Sequence, residues 1–241
     1  MNITLYTSIR KAAVALMTAI ALASATPAAA ADYELNVKPF DELQVVNDIN
    51  VIYRCSNDSA GYVRFSCAPE VSSMILFSNN KNKLKIELSD EITDAQRQKL
   101  PTVTVFSAFL GKVENSGDST VYVDAPSPAS TFKARIVGNG TLIARGLRAT
   151  VVEGKIATGH GHLVLAGEAQ TVKLNNTGTG TIEAGTIKAT IGRCSIYGTG
   201  TVDCWVTNEL TVMGLGSGKI YLKGTPTTKN RTLGIKVIPV Q

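Results

Sequence analysis

The chain holds only two histidines, and they stand together in Gly159-His160-Gly161-His162. Alternate residues of a strand share a face, so this spacing could let one metal ion bridge two imidazoles. No acid or cysteine lies beside them in sequence, and solvated surface histidines are the plainer reading. The acids that could work as a pair are Glu183 and Asp203, twenty residues apart. Two carboxylates brought within ~5 Å match the separation used by retaining glycosidases. Phosphate binding needs a glycine-rich loop that follows a strand and opens a helix. Here every Gly-x-Gly phrase leads into another strand-like run, which argues against a nucleotide. The four cysteines invite pairing as Cys55/Cys67 and Cys194/Cys204, although four cysteines allow three pairings and buried free thiols are the alternative.

These residues are positioned by a repeat. The phrase Gly-x-Gly-x-apolar occurs at Gly138–Leu142, Gly159–Leu163, Gly178–Ile182, Gly198–Val202 and Gly216–Ile220, with a degenerate first copy at Gly117–Val121. Successive first glycines are 21, 21, 19, 20 and 18 residues apart. The fourth residue after each is Val121, Leu142, Leu163, Ile182, Val202 and Ile220; the sixth is Val123, Ala144, Leu165, Ala184, Cys204 and Leu222. A spacing of two puts both columns on one strand face. Four residues before the glycine stand Val113, Ala134, Lys155, Leu174, Cys194 and Val212; Lys155 breaks that column, and neighbouring Ile156 suggests a one-residue slip. Strand, glycine corner and strand thus recur about every 20 residues with no helical pattern between them. That predicts an all-β parallel β-helix whose coils bury their inner faces on one another. Six coils ~4.8 Å apart would make a rod of roughly 29 Å. A meandering antiparallel barrel is the alternative architecture.

The boundaries follow from the same pattern. Residues 1–31 read as a secretory signal: Arg10 and Lys11, an apolar run from Ala12 to Ala25, then small residues to Ala31. An N-terminal membrane anchor is the alternative, and no later stretch is long and apolar enough for a transmembrane segment. Residues 32–241 form one domain: irregular opening coils over 32–106, six regular coils over 107–226, and a C-terminal cover over 227–241. Loss of Arg10 and Lys11 takes the net charge from +5 to +3, too mild for nucleic acid. Aromatics make up 6% of the chain, which suits thin coils better than a bulky-cored sandwich.

The serial glycine phrases, the opening Phe40-Asp41-Glu42-Leu43-Gln44-Val45 and the ending Ile220-Tyr221-Leu222-Lys223-Gly224-Thr225-Pro226 resemble the head GIN domain family. The resemblance covers roughly Tyr33 to Pro239. It implies a right-handed parallel β-helix and an autotransporter-adhesin assignment, with no catalytic residues to carry over. Only 15 residues follow Pro226, so no translocating barrel is expected in this chain. The resulting expectation is an exported, non-catalytic cell-envelope protein of the periplasm, cell surface or medium, binding a surface glycan or an envelope protein and needing no cofactor or metal. A structural scaffold without ligand, capable of forming a homo-oligomer, is the second reading; a polysaccharide-active β-helix enzyme is the third.

The expected binding surface is the fifth position after each first glycine, which falls between two inward columns and must face out. It reads Tyr122, Ile143, Val164, Glu183, Asp203 and Tyr221. Stacking would turn Tyr122, Ile143 and Val164 into one apolar stripe, unless a loop such as Asp90–Lys99 folds over it.

Overall fold

The computed structural model describes residues 30–240. The signal-sequence reading therefore lies almost entirely outside the described residues. Strands follow one another as β1 (Ala31–Asn36), β2 (Glu42–Val46), β3 (Val51–Cys55), β4 (Tyr62–Cys67), β5 (Ile75–Asn80), β6 (Lys83–Leu88), β7 (Val103–Ser107), β8 (Lys112–Ser116) and β9 (Thr120–Asp124). They continue as β10 (Ala129–Ile136), β11 (Thr141–Ile156), β12 (His162–Gly178), β13 (Thr181–Gly198), β14 (Thr201–Gly216), β15 (Lys219–Lys223), β16 (Thr227–Leu233) and β17 (Lys236–Val240). Two single-turn helices, α1 (Pro69–Ser72) and α2 (Asp94–Arg97), interrupt the first half.

The long strands bend from one wall of a parallel β-solenoid to the other. β11 shows how: Thr141–Arg145 pair with β9, whereas Ala149–Ile156 pair with β10. The first wall runs β6–β2–β8–β10, then the second halves of β11 to β14, then β16. The second wall runs β7–β3–β9, then the first halves of β11 to β14, then β15 and β17. All of these pairings are parallel, which removes the antiparallel barrel.

Side chains alternate in and out along each wall, as strand geometry demands. Both predicted inward columns are buried from Val121 to Ile220 and from Val123 to Leu222. The facing column complements them in volume: Gly154 lies opposite Leu165, where the next coil sets Leu174 opposite Ala184. A methyl placed on Gly154 would lie 2.7 Å from Leu165 Cδ1 and 3.2 Å from Leu174 Cδ2. The one-residue slip at Lys155 is real, but the residue that takes the column is Gly154, paired between Ala134 and Leu174, and not Ile156. Ile156 fills the next inward column, beside Ile136 and Asn176.

Glycine is required at the corners by the closeness of the coils. At Gly198 (φ 131°) an added Cβ would lie 2.6 Å from the carbonyl oxygen of Gly178; at Gly216 (φ 133°) it would lie 2.1 Å from that of Gly198. From Gly159 to Gly216, the carbonyl of one coil's glycine occupies the space where the next coil's side chain would start. Buried Asn176 braces the same corner, its Nδ2 donating to Gly180 O at 2.7 Å and Thr201 O at 3.2 Å.

The first half is more regular than its sequence indicates. β2 and β3 form a coil of the same build, with Asn47 (φ 68°) in place of the first glycine and Val51 and Tyr53 in the inward columns. Asparagine tolerates this left-handed conformation better than other non-glycine residues. The chain then leaves the stack, builds β4 to β7 on the outer side of that coil, and returns so that β8 and β9 stack on its other side. Antiparallel β5, β4 and β1 close this end. Residues 227–240 are not a separate cover but one more pair of parallel strands, β16 and β17. The inner columns of β16 end in Thr228 and Asn230, which stay exposed, and those of β17 end in Val237 and Pro239. The polar pair on β16 makes that edge a poor template for strand addition.

Candidate functional surfaces

The fifth-position column forms one continuous ladder on the outside of the second wall. Its order across the coils is Thr104, Ile52, Tyr122, Ile143, Val164, Glu183, Asp203, Tyr221 and Ile238. Tyr122, Ile143 and Val164 are adjacent and half-buried, while Tyr221 is set apart from them by the two acids. Ile52 extends the apolar run by one coil. Sequence reasoning missed it, although it stands five residues after Asn47 as Tyr122 does after Gly117. Asp90–Lys99 does not fold over this ladder. Within it, α2 is fastened to the end of the rod, with Gln96 Nε2 donating to Glu70 O at 2.9 Å and Arg97 meeting Asp48 at 3.2 Å.

Stacking also brings His162 to the acid pair that the repeat spacing indicated. Glu183 and Asp203 are register partners, and His162 Nε2 lies 2.9 Å from Glu183 Oε1. Partial burial and the neighbouring Glu183 charge raise the Asp203 pKa above the ordinary aspartate range, against a backbone hydrogen bond from Gly185 that lowers it. The pair can accept hydrogen bonds from hydroxyls or attract a cation. His160 stays exposed in the corner, its backbone N–H donating to Asn139 Oδ1 at 3.2 Å.

The acids stand on the outer face of the second wall. A concavity of about 840 Å³, open to solvent, is on the edge between the walls, over Ala149, Gly167 and Ala169 with Arg148, Glu168 and Lys188 around it. At that edge β12 crosses with one residue fewer than β11 or β13.

A second apolar ladder lies outside the first wall: Tyr197, Leu215 and Leu233, in register on the last three coils and 50%, 57% and 72% exposed. Its sequence signal was available, since each residue immediately precedes a glycine that opens a corner.

The cysteines separate into two cases, and all four are free thiols here. Cys55 and Cys67 are near in sequence but apart in space. β7 lies between their strands, with Cys55 beside Ser107 and β4 running antiparallel from Val63 beside Val105. Extending that register puts Cys67 about six residues farther along, ~20 Å from Cys55 and far beyond the reach of a bond. Cys194 and Cys204 instead face each other in the core, with sulfurs 3.8 Å apart.

A sequence profile described as "Putative auto-transporter adhesin, head GIN domain" matches residues 39–226. The chain belongs to the head GIN domain family. Solved structures agree on the fold: a "putative adhesin" from Bacteroides fragilis NCTC 9343 superposes with a TM-score of 0.78 at 21% identity, covering 88% of this chain and 97% of that one. A "putative lipid binding protein" from Parabacteroides distasonis ATCC 8503 gives 0.71 at 17% identity, covering 88% and 97%. A "putative adhesin" from Parabacteroides merdae ATCC 43184 gives 0.66 at 18%, covering 88% and 96%. No curated protein matches. Among the described residues no helix is long and apolar enough to cross a membrane.

Proposed function

We propose that this GIN-domain protein is an exported, non-catalytic envelope protein that binds a surface glycan through the outer ladder of its second wall. The observation that carries the reading is the run Ile52-Tyr122-Ile143-Val164, leading directly into Glu183 and Asp203. A pyranose ring has apolar C–H faces and hydroxyl edges. Tyr122 with the aliphatic ladder suits the faces, and the carboxylates suit the hydroxyls. The wall's strands are hydrogen-bonded to neighbours on both sides, so a partner meets a preformed surface and little ordering entropy opposes binding. The family's adhesin assignment supports the same role. Glycan-array binding by the purified protein, lost in Ile143→Lys/Val164→Lys with the melting curve kept, is the expected result. Uniform absence of binding together with stable self-association would favour a structural scaffold. Robust glycan turnover abolished by Glu183→Gln would make the acid pair catalytic and overturn the proposal.

A further inference from the structure

The outer face of the first wall over its last three coils is unlike the rest of that wall. Three rows cross β13, β14 and β16 in register: Tyr197, Leu215 and Leu233; Ser195, Met213 and Arg231; Arg193, Thr211 and Lys229. Met213 is 38% exposed, so it adds to the apolar row beside it. Elsewhere on this wall several outward cations are paired with carboxylates from coil to coil, although among the described residues exposed Lys83 and Lys155 are not. Lys112 meets Glu42, Arg135 meets Glu114, and Lys133 and Lys173 share Glu153. Here only Lys229 has a partner, Glu209 at 3.0 Å, and among the described residues neither Arg193 nor Arg231 meets a carboxylate. The imbalance continues to the end of the chain: after Glu209 come Lys219, Lys223, Lys229, Arg231 and Lys236 with no acid at all. With the whole mature chain at +3 and these five carrying +5, residues 32–209 sum to −2.

We propose that this C-terminal face docks on an anionic lipid surface. Leu215, Leu233, Tyr197 and Met213 would enter the headgroup boundary, and Arg193 and Arg231 would meet lipid phosphates from the adjoining rows. A membrane interface asks for this combination, an apolar row with cations along one side, and the long stems of arginine let the charge reach outward while the leucines go in. A soluble polyanion would engage the cations and leave the leucines in water. A second copy set face to face would oppose two surfaces of like positive charge. The lipid surface alone uses both features. It also lies on the wall opposite the glycan ladder, so one molecule could hold a membrane and a glycan at once.

The test is co-sedimentation of the purified protein at low ionic strength with vesicles of phosphatidylcholine containing about one-third phosphatidylglycerol, and with phosphatidylcholine alone. Binding is expected to the anionic vesicles only, and to fall as salt is added. Arg231→Glu should weaken it more than tenfold, from roughly fivefold per charge step. Leu215→Glu/Leu233→Glu should abolish it, with the melting curve preserved because both residues are exposed. Ile143→Ser/Val164→Ser should leave it intact while removing glycan binding, so failure of either idea is distinguishable from failure of the other. The proposal is overturned by no sedimentation with either vesicle or by equal binding to both. It is also overturned if the leucine variant binds undiminished and heparin competes, which assigns the face to an anionic polymer. Loss of a dimer in light scattering on Leu215→Glu/Leu233→Glu, with no vesicle binding, assigns it to a second copy.

Discussion

Replacing Gly216 and Gly138 separately by alanine isolates what holds the coils together. Both glycines have positive φ, 133° and 118°, so both alanines incur the strain of that region, about 1–2 kcal/mol. They differ in what the new methyl meets. At Gly138 the nearest atom is Gly117 O at 3.8 Å, an ordinary contact. At Gly216 the methyl would lie 2.1 Å from Gly198 O and 2.9 Å from its carbonyl carbon. Relief requires one coil to move roughly 1 Å from the next, against close packing. That movement strains the neighbouring bond from Ser217 N to Gly198 O, now 3.1 Å, and each ladder bond lost costs about 1 kcal/mol. Gly216→Ala should therefore cost about 3–5 kcal/mol in total, at least about 2 kcal/mol more than Gly138→Ala. Thermal melts followed by circular dichroism would show this as a drop about 4–8 °C larger for Gly216→Ala. A difference under about 1 °C would refute the carbonyl stack as the reason for glycine.

Native protein treated with a thiol reagent should lose one thiol quickly, Cys55, because the other three are buried. Protein exported through an oxidising compartment should carry a Cys194–Cys204 bond, their two protons and two electrons passing to a disulfide oxidant. Its intact mass should be about 2 Da below the reduced form, a difference removed by Cys204→Ala and unaffected by Cys67→Ala. Asp203→Asn should raise stability at neutral pH: the folded pKa is raised, so the wild type loses stability as pH rises from the ordinary aspartate range through that value. Its advantage should vanish in acid, as pH-dependent denaturant midpoints will report. Glu153→Gln should do the reverse. The Lys173 hydrogen bond and the Lys173 and Lys133 charges hold Glu153 below the usual carboxylate range. The wild type should be more stable above that range by about 0.3–1 kcal/mol, and the difference should close as pH falls through the folded pKa.

The regular coils were legible because an inward column is a one-dimensional signal: Val121 to Ile220 recur at nearly fixed spacing and must share a face. Contacts between coils were less legible, since His162 and Glu183 are 21 residues apart and meet only if the register is known. The opening half hid its regularity for two reasons. Asn47 stands where a glycine was sought, and the chain inserts β4 to β7 before resuming the stack. The pairing of Cys55 with Cys67 failed for the related reason that nearness along a strand–turn–strand segment says nothing of a third strand entering between them. At residue 155 the volume of Leu165 selected Gly154 for the column, a packing constraint that no local pattern displays.

The most direct test of the account combines register with exposure. Ile143 and Val164 are Cα partners on adjacent coils of the second wall, both facing out. Neighbouring strands lie ~4.8 Å apart, within the Cα separation of a disulfide. In a chain freed of its native cysteines, Ile143→Cys/Val164→Cys should cross-link under mild oxidation, and Ile143→Cys alone should react readily with a thiol reagent in the folded protein. Ile143→Cys/Leu163→Cys should not cross-link, because Leu163 points into the core. Failure of the first pair to bond, or faster bonding of the second, would contradict both the stacking of the coils and the outward ladder on which the binding function rests.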